Sequence, residues 1–246
     1  MKRVLKLVLT GAAFLSASAV ATAGSDNSCK NLPNHDQLQA ALFSARGEAN
    51  GGFSLDMWGT VVNRDGIVCA VAFTGDNRGD QWPGSRVISA QKANTANAFS
   101  LPNLALSTAN LYTAVQPGGS LYGLQHSNPV DTTAAYKGPS AKYGQTNDPM
   151  VGKKIGGVNV FGGGLALYSA SGVIVGALGV SGDSSCADHN IAWRTRNNLA
   201  GFNFLPPGVG PDGHDGIDYD LTSVWRHPVC APTAVTIAKA IGAGSD

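Results

Sequence analysis

Residues 162–189 constrain the fold of this chain more than any other stretch. Two apolar runs that are rich in glycine, Val158–Tyr168 and Val173–Val180, flank a turn in this region. They predict a hairpin of two strands, and the later run is apolar enough for a strand that is covered on both faces. A serine or aspartate within residues 183–185 can cap a helix that runs to about Ala200. The sequence therefore predicts a strand hairpin that leads directly into a helix.

The predicted helix after the hairpin has two different faces. Its buried face consists of Ala187, Ile191, Ala192 and Leu199. The opposite face carries His189, Trp193 and Arg196, which follow one another at helical spacing. An imidazole, an aromatic ring and a guanidinium on one face can bind a planar anionic ligand. The alternative, which is the more common role of such a face, is that it is solvated or lies in a contact between subunits.

Other segments complete an α+β pattern. Asp36–Ala49 has apolar residues at helical spacing, and Ser85–Phe99 is an alanine-rich run without glycine or proline, so both predict helices. Leu55–Asn63 and Ile67–Phe73 are rich in β-forming residues and are separated by an Asp-Gly turn, which predicts paired strands. Ala234–Ile241 predicts a short helix. Together these elements predict an antiparallel sheet with helices on its faces.

Two long segments lack a regular pattern. Residues 101–149 are rich in proline, glycine, asparagine, serine and threonine, which predicts an irregular excursion over the surface, and such loops are often functional. His126 lies in this excursion and is a candidate lid residue or axial metal ligand, although mobile surface decoration is the more common role. The proline-rich tail, residues 206–232, contains an acidic run at 212–220. This run lacks the spacing of an EF-hand loop, which favours a solvated turn over a calcium site.

Residues 1–23 have the pattern of a signal peptide. Three basic residues, Lys2, Arg3 and Lys6, precede an apolar run that ends in Ala21-Thr22-Ala23, the small-residue pattern that a signal peptidase reads. The run is too short and too rich in small residues for the alternative, a membrane anchor. Without the three basic residues the formal net charge falls from +1 to −2, which disfavours a nucleic acid partner. We therefore expect a periplasmic or secreted protein with no membrane span after signal removal.

All four cysteines lie beyond the predicted cleavage point. They are Cys29, Cys69, Cys186 and Cys230. An even number of cysteines in an exported chain predicts two disulfides, and three pairings are possible. We favour Cys29 with Cys69 and Cys186 with Cys230, because each bridge would fasten a loose terminal segment to the core. Metal ligation by thiolates is the alternative, but the sequence has no Cys-x-x-Cys pair.

Three motifs together resemble a known family. Thr60–Gly66 contains Val-Val-Asn-Arg-Asp-Gly, Ser89–Ala96 contains Lys-Ala-Asn-Thr-Ala, and residues 162–182 contain Gly-Gly and Gly-Ala-Leu-Gly-Val-Ser-Gly. These motifs resemble the GlcG/HbpS-type heme-binding family, which includes the C-terminal domains of PduO-type proteins. Asn63 stands where the family usually has aspartate, and the excursion is longer than usual. The resemblance spans approximately residues 36–200.

The resemblance implies an architecture. It implies a profilin-like α/β/α fold of the GlcG type for residues 24–205, with residues 101–149 as an insertion. Residues 206–246 then form an irregular tail that is held by a disulfide. The resemblance also implies a homo-oligomer.

The resemblance further implies that the ligand is heme or a related tetrapyrrole. The candidate ligand-binding residues are then Arg86, Lys92, His189, Trp193 and Arg196, and the candidate iron ligands are His189 and His126. Lone basic residues on helices, such as Arg86 and Lys92, are nevertheless usually solvated. Two other functional classes stay open. One is an exported enzyme that acts on a small organic substrate through Arg86, Lys92 and His189, and the other is an oligomeric scaffold or sensor partner that assembles through Trp193.

Overall fold

The computed structural model describes residues 27–245, apart from the side chains of Asn27 and Asp212, so the predicted signal peptide lies outside the described residues. The helices are α1 (His35–Arg46), α2 (Ser85–Phe99), α3 (Leu124–Ser127), α4 (Thr132–Ala135), α5 (Ser185–Asn198) and α6 (Pro232–Ala240). The strands are β1 (Trp58–Asn63), β2 (Val68–Phe73), β3 (Gly164–Tyr168), β4 (Ile174–Ser181), β5 (Ile217–Asp218) and β6 (Gly244–Ser245). Within this part of the chain no helix is both long and apolar enough to cross a bilayer.

Strands β1 to β4 form an antiparallel sheet in the order β2-β1-β4-β3. The two central strands are β1 and β4, and Val61 lies opposite Leu178 in their register. Both predicted hairpins are present, β1 with β2 and β3 with β4. The turn of the first hairpin is held by Asn63, whose side-chain oxygen accepts hydrogen bonds from the amides of Asp65 and Ile67. Asn63 thus closes this turn in place of the aspartate that is usual in the family.

Helices cover both faces of this sheet. On one face, Leu42 of α1 and Ile191 of α5 belong to the same buried cluster as Leu178. On the other face, Ala90 of α2 is buried in a cluster with Ala177, the neighbour of Leu178 in β4. Successive residues of a strand point to opposite faces, so β4 is covered on both sides, as its apolar sequence predicts. The α+β fold with helices on both faces is confirmed.

Gly179 allows α2 to lie close to the sheet. A Cβ atom at this position would lie 1.9 Å from the carbonyl oxygen of Ser89 and 2.5 Å from the amide nitrogen of Ala93. Both atoms belong to the backbone of α2, which cannot move away as a flexible side chain could. Gly179, the first glycine of Gly-Val-Ser-Gly, therefore sets the distance between α2 and the sheet.

The third strand is shorter than the sequence predicts. We expected it to begin at Val158, but β3 begins at Gly164. The residue before it, Gly163, has a φ of 115°, which is outside the range of an extended strand. Val160 instead packs into a small buried cluster with Leu111, a residue of the excursion. Apolar character alone did not distinguish a buried loop from a strand.

The excursion is irregular, as predicted, but it does not lie only on the surface. It contains the short helices α3 and α4, and its side chains Leu111, Val115 and Ala135 are buried. These residues belong to two buried clusters. The predicted excursion over the surface is therefore partly buried, because a few apolar residues spaced along a polar segment are enough to fasten it.

Two disulfides join Cys29 to Cys69 and Cys186 to Cys230, the pairing that we favoured. The second disulfide links the first turn of α5 to the tail. Ser184 caps this helix, because its side chain accepts a hydrogen bond from the amide of Ala187. The tail then returns over α5 and continues through α6 to β6.

The outer side of β3 contacts three other parts of the chain. The carbonyl of Gly164 accepts a hydrogen bond from the amide of Thr108 at 3.0 Å. The carbonyl of Ala166 accepts one from the Arg196 guanidinium at 3.3 Å. Tyr168 pairs through its amide with the carbonyl of Phe202 at 3.0 Å. The excursion, α5 and the segment that follows α5 thus meet along this strand.

Candidate functional site

Arg86 is buried at the start of α2 and is bound by the chain itself. Its Nε donates to Asp148 Oδ2 at 2.9 Å, a second guanidinium nitrogen bonds the other carboxylate oxygen, and Nη1 donates to the Ala135 carbonyl at 2.7 Å. The ring of Tyr143 lies 3.7 Å from the guanidinium carbon. The expectation that Arg86 is solvated was wrong. Its contacts fasten the end of the excursion onto α2, which is a structural role.

Lys92 lies in the middle of α2 and forms a buried ion pair with Asp188 of α5. Its Nζ donates to Asp188 Oδ2 at 2.6 Å and to the Val180 carbonyl at 3.1 Å. The other oxygen of Asp188 accepts hydrogen bonds from the amides of Gly182 and Asp183. These backbone amides, which could have bound an external anion, are thus occupied by the chain's own carboxylate. Lys92 is not solvated either.

Burial perturbs both members of this pair. It lowers the pKa of Lys92 and raises the pKa of Asp188 to about 6, in each case against the attraction of the opposite charge. The pair lies beside a cavity of about 250 Å³ that Ser85, Ser181 and Phe161 also line. Perturbed ionisable groups beside a cavity are typical of functional sites, but they also occur in structural ion pairs. The hydrogen bonds described above favour the structural role.

His189, Trp193 and Arg196 lie together, as the helical wheel predicts, but they are not on the surface. Their relative exposures are 0%, 7% and 0%. The alternative of a solvated face or a subunit contact was therefore wrong, because residues beyond 200 fold back over this side of α5. The His189 and Trp193 rings are 6.2 Å apart, and the Arg196 guanidinium carbon lies 4.7 Å from the Trp193 ring.

Arg196 of α5 forms a buried ion pair with a residue of the tail. Its two terminal nitrogens donate to Asp215 at 2.6 and 2.8 Å, and the side chains of both residues are fully buried. Asp215 belongs to the acidic run that we expected to be a solvated turn, and Asp218 of the same run is also buried. That expectation was wrong, because one carboxylate of the run neutralises a buried arginine.

His189 is held as a neutral ring. Its Nε2–H donates to the Ala243 carbonyl at 3.2 Å, while Nδ1 has no hydrogen-bond partner within the described residues. Burial lowers the pKa of His189 to about 3. The neighbouring elements therefore enclose His189 rather than open it to a ligand.

The tail forms a second cavity that the sequence analysis did not find. This tail cavity, of about 630 Å³, is lined by Tyr112 and Gln116 of the excursion and by Tyr219, Arg226 and His227 of the tail, among others. Its volume is typical of small-molecule and cofactor sites, which span about 300–1,000 Å³. The only sequence signal was a histidine close to the last cysteine, and its partners are far away along the chain.

The floor of the tail cavity contains two buried polar side chains. His227 and Tyr219 are 2% and 4% exposed. The Nδ1–H of His227 donates to the Pro228 carbonyl at 2.8 Å, which leaves Nε2 as the acceptor, and the Tyr112 ring lies 5.0 Å from the imidazole. Neither His227 Nε2 nor Tyr219 Oη has a hydrogen-bond partner among the residues that the structure describes. Burial lowers the pKa of His227 to about 4 and raises the pKa of Tyr219, so both side chains are neutral near pH 7.

The remaining metal candidate, His126, is exposed at the end of α3. Within residues 27–245, groups of three metal-ligating side chains occur at one place, where Cys186, His227 and Cys230 lie within 4.8 Å of one another. Both cysteines of this group are in the disulfide, so they offer no thiolate.

The geometry defines an α+β domain with one antiparallel sheet between helices and two cavities bounded by buried polar side chains. The sequence profile of a family described as haem-degrading protein HbpS-like matches residues 34–196, about two thirds of the chain. The chain belongs to this HbpS-like family. No curated protein matches it significantly.

Several solved structures are similar to this chain. A PduOC:heme complex is 24% identical over 68% of this chain and 91% of its own, with a TM-score of 0.47. The Klebsiella pneumoniae protein ORFY is 25% identical over 67% and 86%, with a TM-score of 0.45. HbpS is 18% identical over 68% and 86%, with a TM-score of 0.43.

The family raises the question of whether residues of this chain suit a heme. Heme iron is commonly held by histidine, cysteine, methionine or tyrosine, and its propionates favour arginine. The described cysteines are in disulfides, and the ring of His189 is enclosed. The tail cavity combines a neutral histidine and a tyrosine, both with an unpartnered polar atom within the described chain, and an exposed arginine, Arg226. These residues suit a heme.

Proposed function

We propose that this protein binds heme or a related tetrapyrrole. The observation that carries the proposal is the match of residues 34–196 to the HbpS-like family. The chemistry of the tail cavity supports it, because the cavity offers histidine, tyrosine and arginine side chains around a volume of about 630 Å³. A bound heme would supply an iron centre for ligand binding or redox chemistry, and the protein would bind and orient it.

A titration of the purified protein with hemin tests this proposal. We expect a saturable change in the Soret band with a stoichiometry of one hemin per chain. A linear increase that is equal to that of hemin in a solution of an unrelated protein would contradict it. The same samples, treated with ascorbate, show whether the bound heme is degraded, because degradation bleaches the Soret band.

Export is part of the proposal and needs its own test. The two disulfides are compatible with an oxidising compartment. Fractionation of expressing bacteria should place the processed protein in the periplasm or the medium, with the chain shortened by about 23 residues as the signal sequence predicts. Full-length protein in the cytoplasm would contradict export.

The state of the Lys92–Asp188 pair favours a binding protein over the enzyme alternative. An acid or base that acts on a substrate needs a proton position that is free to exchange with it. Both residues instead have partners within α2, α5, β4 and the turn between β4 and α5. The resemblance also implies a homo-oligomer, which light scattering coupled to size exclusion would detect.

A further inference from the structure

We propose that the tetrapyrrole binds in the tail cavity, above His227 and Tyr219 and with Arg226 at the rim. This inference rests on the proposed function and assigns its site. Half of the lining residues, among them Tyr219, Arg226 and His227, lie beyond 200, outside the segment that matches the family, and the other half belong to the excursion. The tail half of the site would therefore be an addition by this chain to the domain that it shares with its family.

The floor of the cavity is incomplete without a ligand. A buried polar atom without a hydrogen bond costs about 1–3 kcal/mol, and most such atoms in folded proteins are paired. Two of the few unpartnered atoms in the described chain, His227 Nε2 and Tyr219 Oη, belong to side chains that line this one cavity. A ligand that reached these two atoms would satisfy both.

The hydrogen bond of His227 to the backbone also favours this site. Its Nδ1–H bonds to the Pro228 carbonyl at 2.8 Å, which fixes the tautomer and leaves the lone pair on Nε2. A histidine that binds a metal in proteins almost always has its other ring nitrogen bonded to a carbonyl or carboxylate in this way. The disulfide Cys186–Cys230 further restricts the segment, because Cys186 Sγ lies 3.9 Å from His227 Nδ1.

Two of the other cavities each lack one of these features. The cavity beside Lys92 and Asp188 is smaller, about 250 Å³, and the polar groups of this pair are bonded to one another and to the backbone. A cavity of about 580 Å³ beside Trp58 and Tyr143 is large enough. Within the described residues, however, it is lined by no buried side chain that lacks a partner. The tail cavity alone, among these three, combines sufficient volume with unsatisfied groups.

The walls and the rim of the tail cavity differ in chemistry. Leu221, Pro228 and Val229 provide apolar surface, and the Tyr112 ring provides an aromatic face. Arg226 is exposed at the opening, where its guanidinium can pair with a carboxylate that stays in water. A tetrapyrrole matches this arrangement, because it has an apolar ring system with carboxylates at one edge.

A matched pair of substitutions tests the location with hemin as the probe. Val229 lines the tail cavity and is 50% exposed, whereas Val224 is 69% exposed and is not among its lining residues. We expect Val229→Trp to fill the cavity and to weaken hemin binding at least tenfold. Val224→Trp should bind hemin as the wild type does. The melting temperature of each free variant shows that it is folded.

A second variant tests the role of the unpartnered hydroxyl. Tyr219→Phe removes only that hydroxyl, so the free protein should keep or slightly raise its melting temperature, while hemin binding weakens about tenfold. A melting temperature lowered by several degrees would mean that the hydroxyl already has a partner, such as a buried water. The floor of the cavity would then be complete without a ligand, contrary to the inference.

The outcomes separate the inference from the proposed function. If the wild type binds hemin and Val229→Trp binds it equally well, the location is wrong and the proposed function stands. If the wild type does not bind hemin, the proposed function fails, and the inference fails with it. Loss of binding in Val229→Trp alone supports both.

Discussion

The buried ion pair between Arg196 and Asp215 gives the sharpest test of how the tail is held. Both side chains are fully buried, and the two hydrogen bonds between them measure 2.6 and 2.8 Å. In Asp215→Ala the guanidinium would keep the Ala166 carbonyl at 3.3 Å and the Trp193 ring, but no opposite charge in contact. Removing one partner of a buried pair costs about 3–5 kcal/mol, because the other charge is left uncompensated.

This free energy predicts a large change in thermal stability. For a chain of this size each kcal/mol lowers the melting temperature by about 2–4 °C, so Asp215→Ala should melt about 6–20 °C below the wild type. Differential scanning calorimetry and urea unfolding would measure the effect. Because the tail carries this contact, a separate early transition of the tail would also be visible by calorimetry.

Two further variants decide whether the buried charge is the cause. The double variant Arg196→Met, Asp215→Leu removes both charges, so it should be more stable than Asp215→Ala alone. Glu48→Ala is the control, because Glu48, whose side chain is 57% exposed, pairs with Arg194 on the same helix as Arg196. Breaking this exposed pair should cost at most about 1 kcal/mol. A loss below about 1 kcal/mol in Asp215→Ala, or a double variant that is no more stable than it, would refute the reasoning.

Three other predictions follow from packing, cross-linking and charge. Gly179→Ala should lower the free energy of unfolding, measured in urea, by at least about 1–3 kcal/mol, because its Cβ would meet the α2 backbone. Gly84→Ala is the control and should be near neutral, because its Cβ would lie in open space. Cys230→Ser removes a disulfide with a sequence separation of 44 and should cost about 3–5 kcal/mol in the same assay; an unchanged midpoint would contradict this. His189 takes up a proton in the unfolded chain near pH 6.5 but in the folded chain only near pH 3, so stability should fall as the pH drops below 6.5. In acid titrations followed by circular dichroism, His189→Asn should weaken this dependence and His126→Asn should not.

The sequence predicted most of the longer helices and strands, although not the start of β3 or the short elements. The helix predicted over Ser85–Phe99 has these same bounds, because a glycine precedes it and no helix-breaking residue interrupts it. The hairpins and the cap of α5 were also predictable from turn and capping residues. Local patterns decide such elements, and they are visible in a single sequence.

The contacts of the charged residues were not predictable in this way. Arg86 and Asp148 are 62 residues apart, and Lys92 and Asp188 are 96 apart, so no spacing along the chain connects them. A basic residue on a helix resembles a solvated one until its partner is located in space. The same reason explains why His227 was missed, since the fold alone brings it to the ring of Tyr112.

The contacts along the outer side of β3 have a consequence for how this protein can meet other chains. An edge strand with free carbonyl groups is a template on which a second chain can add a strand. Here the carbonyls of Gly164 and Ala166 already accept hydrogen bonds from Thr108 and Arg196, and Tyr168 pairs with residue 202. A second copy could extend the sheet here only after these segments had detached. Assembly by strand addition at β3 is thus blocked in the folded protein, and a chain truncated before residue 196 would lose two of these three contacts and expose this edge.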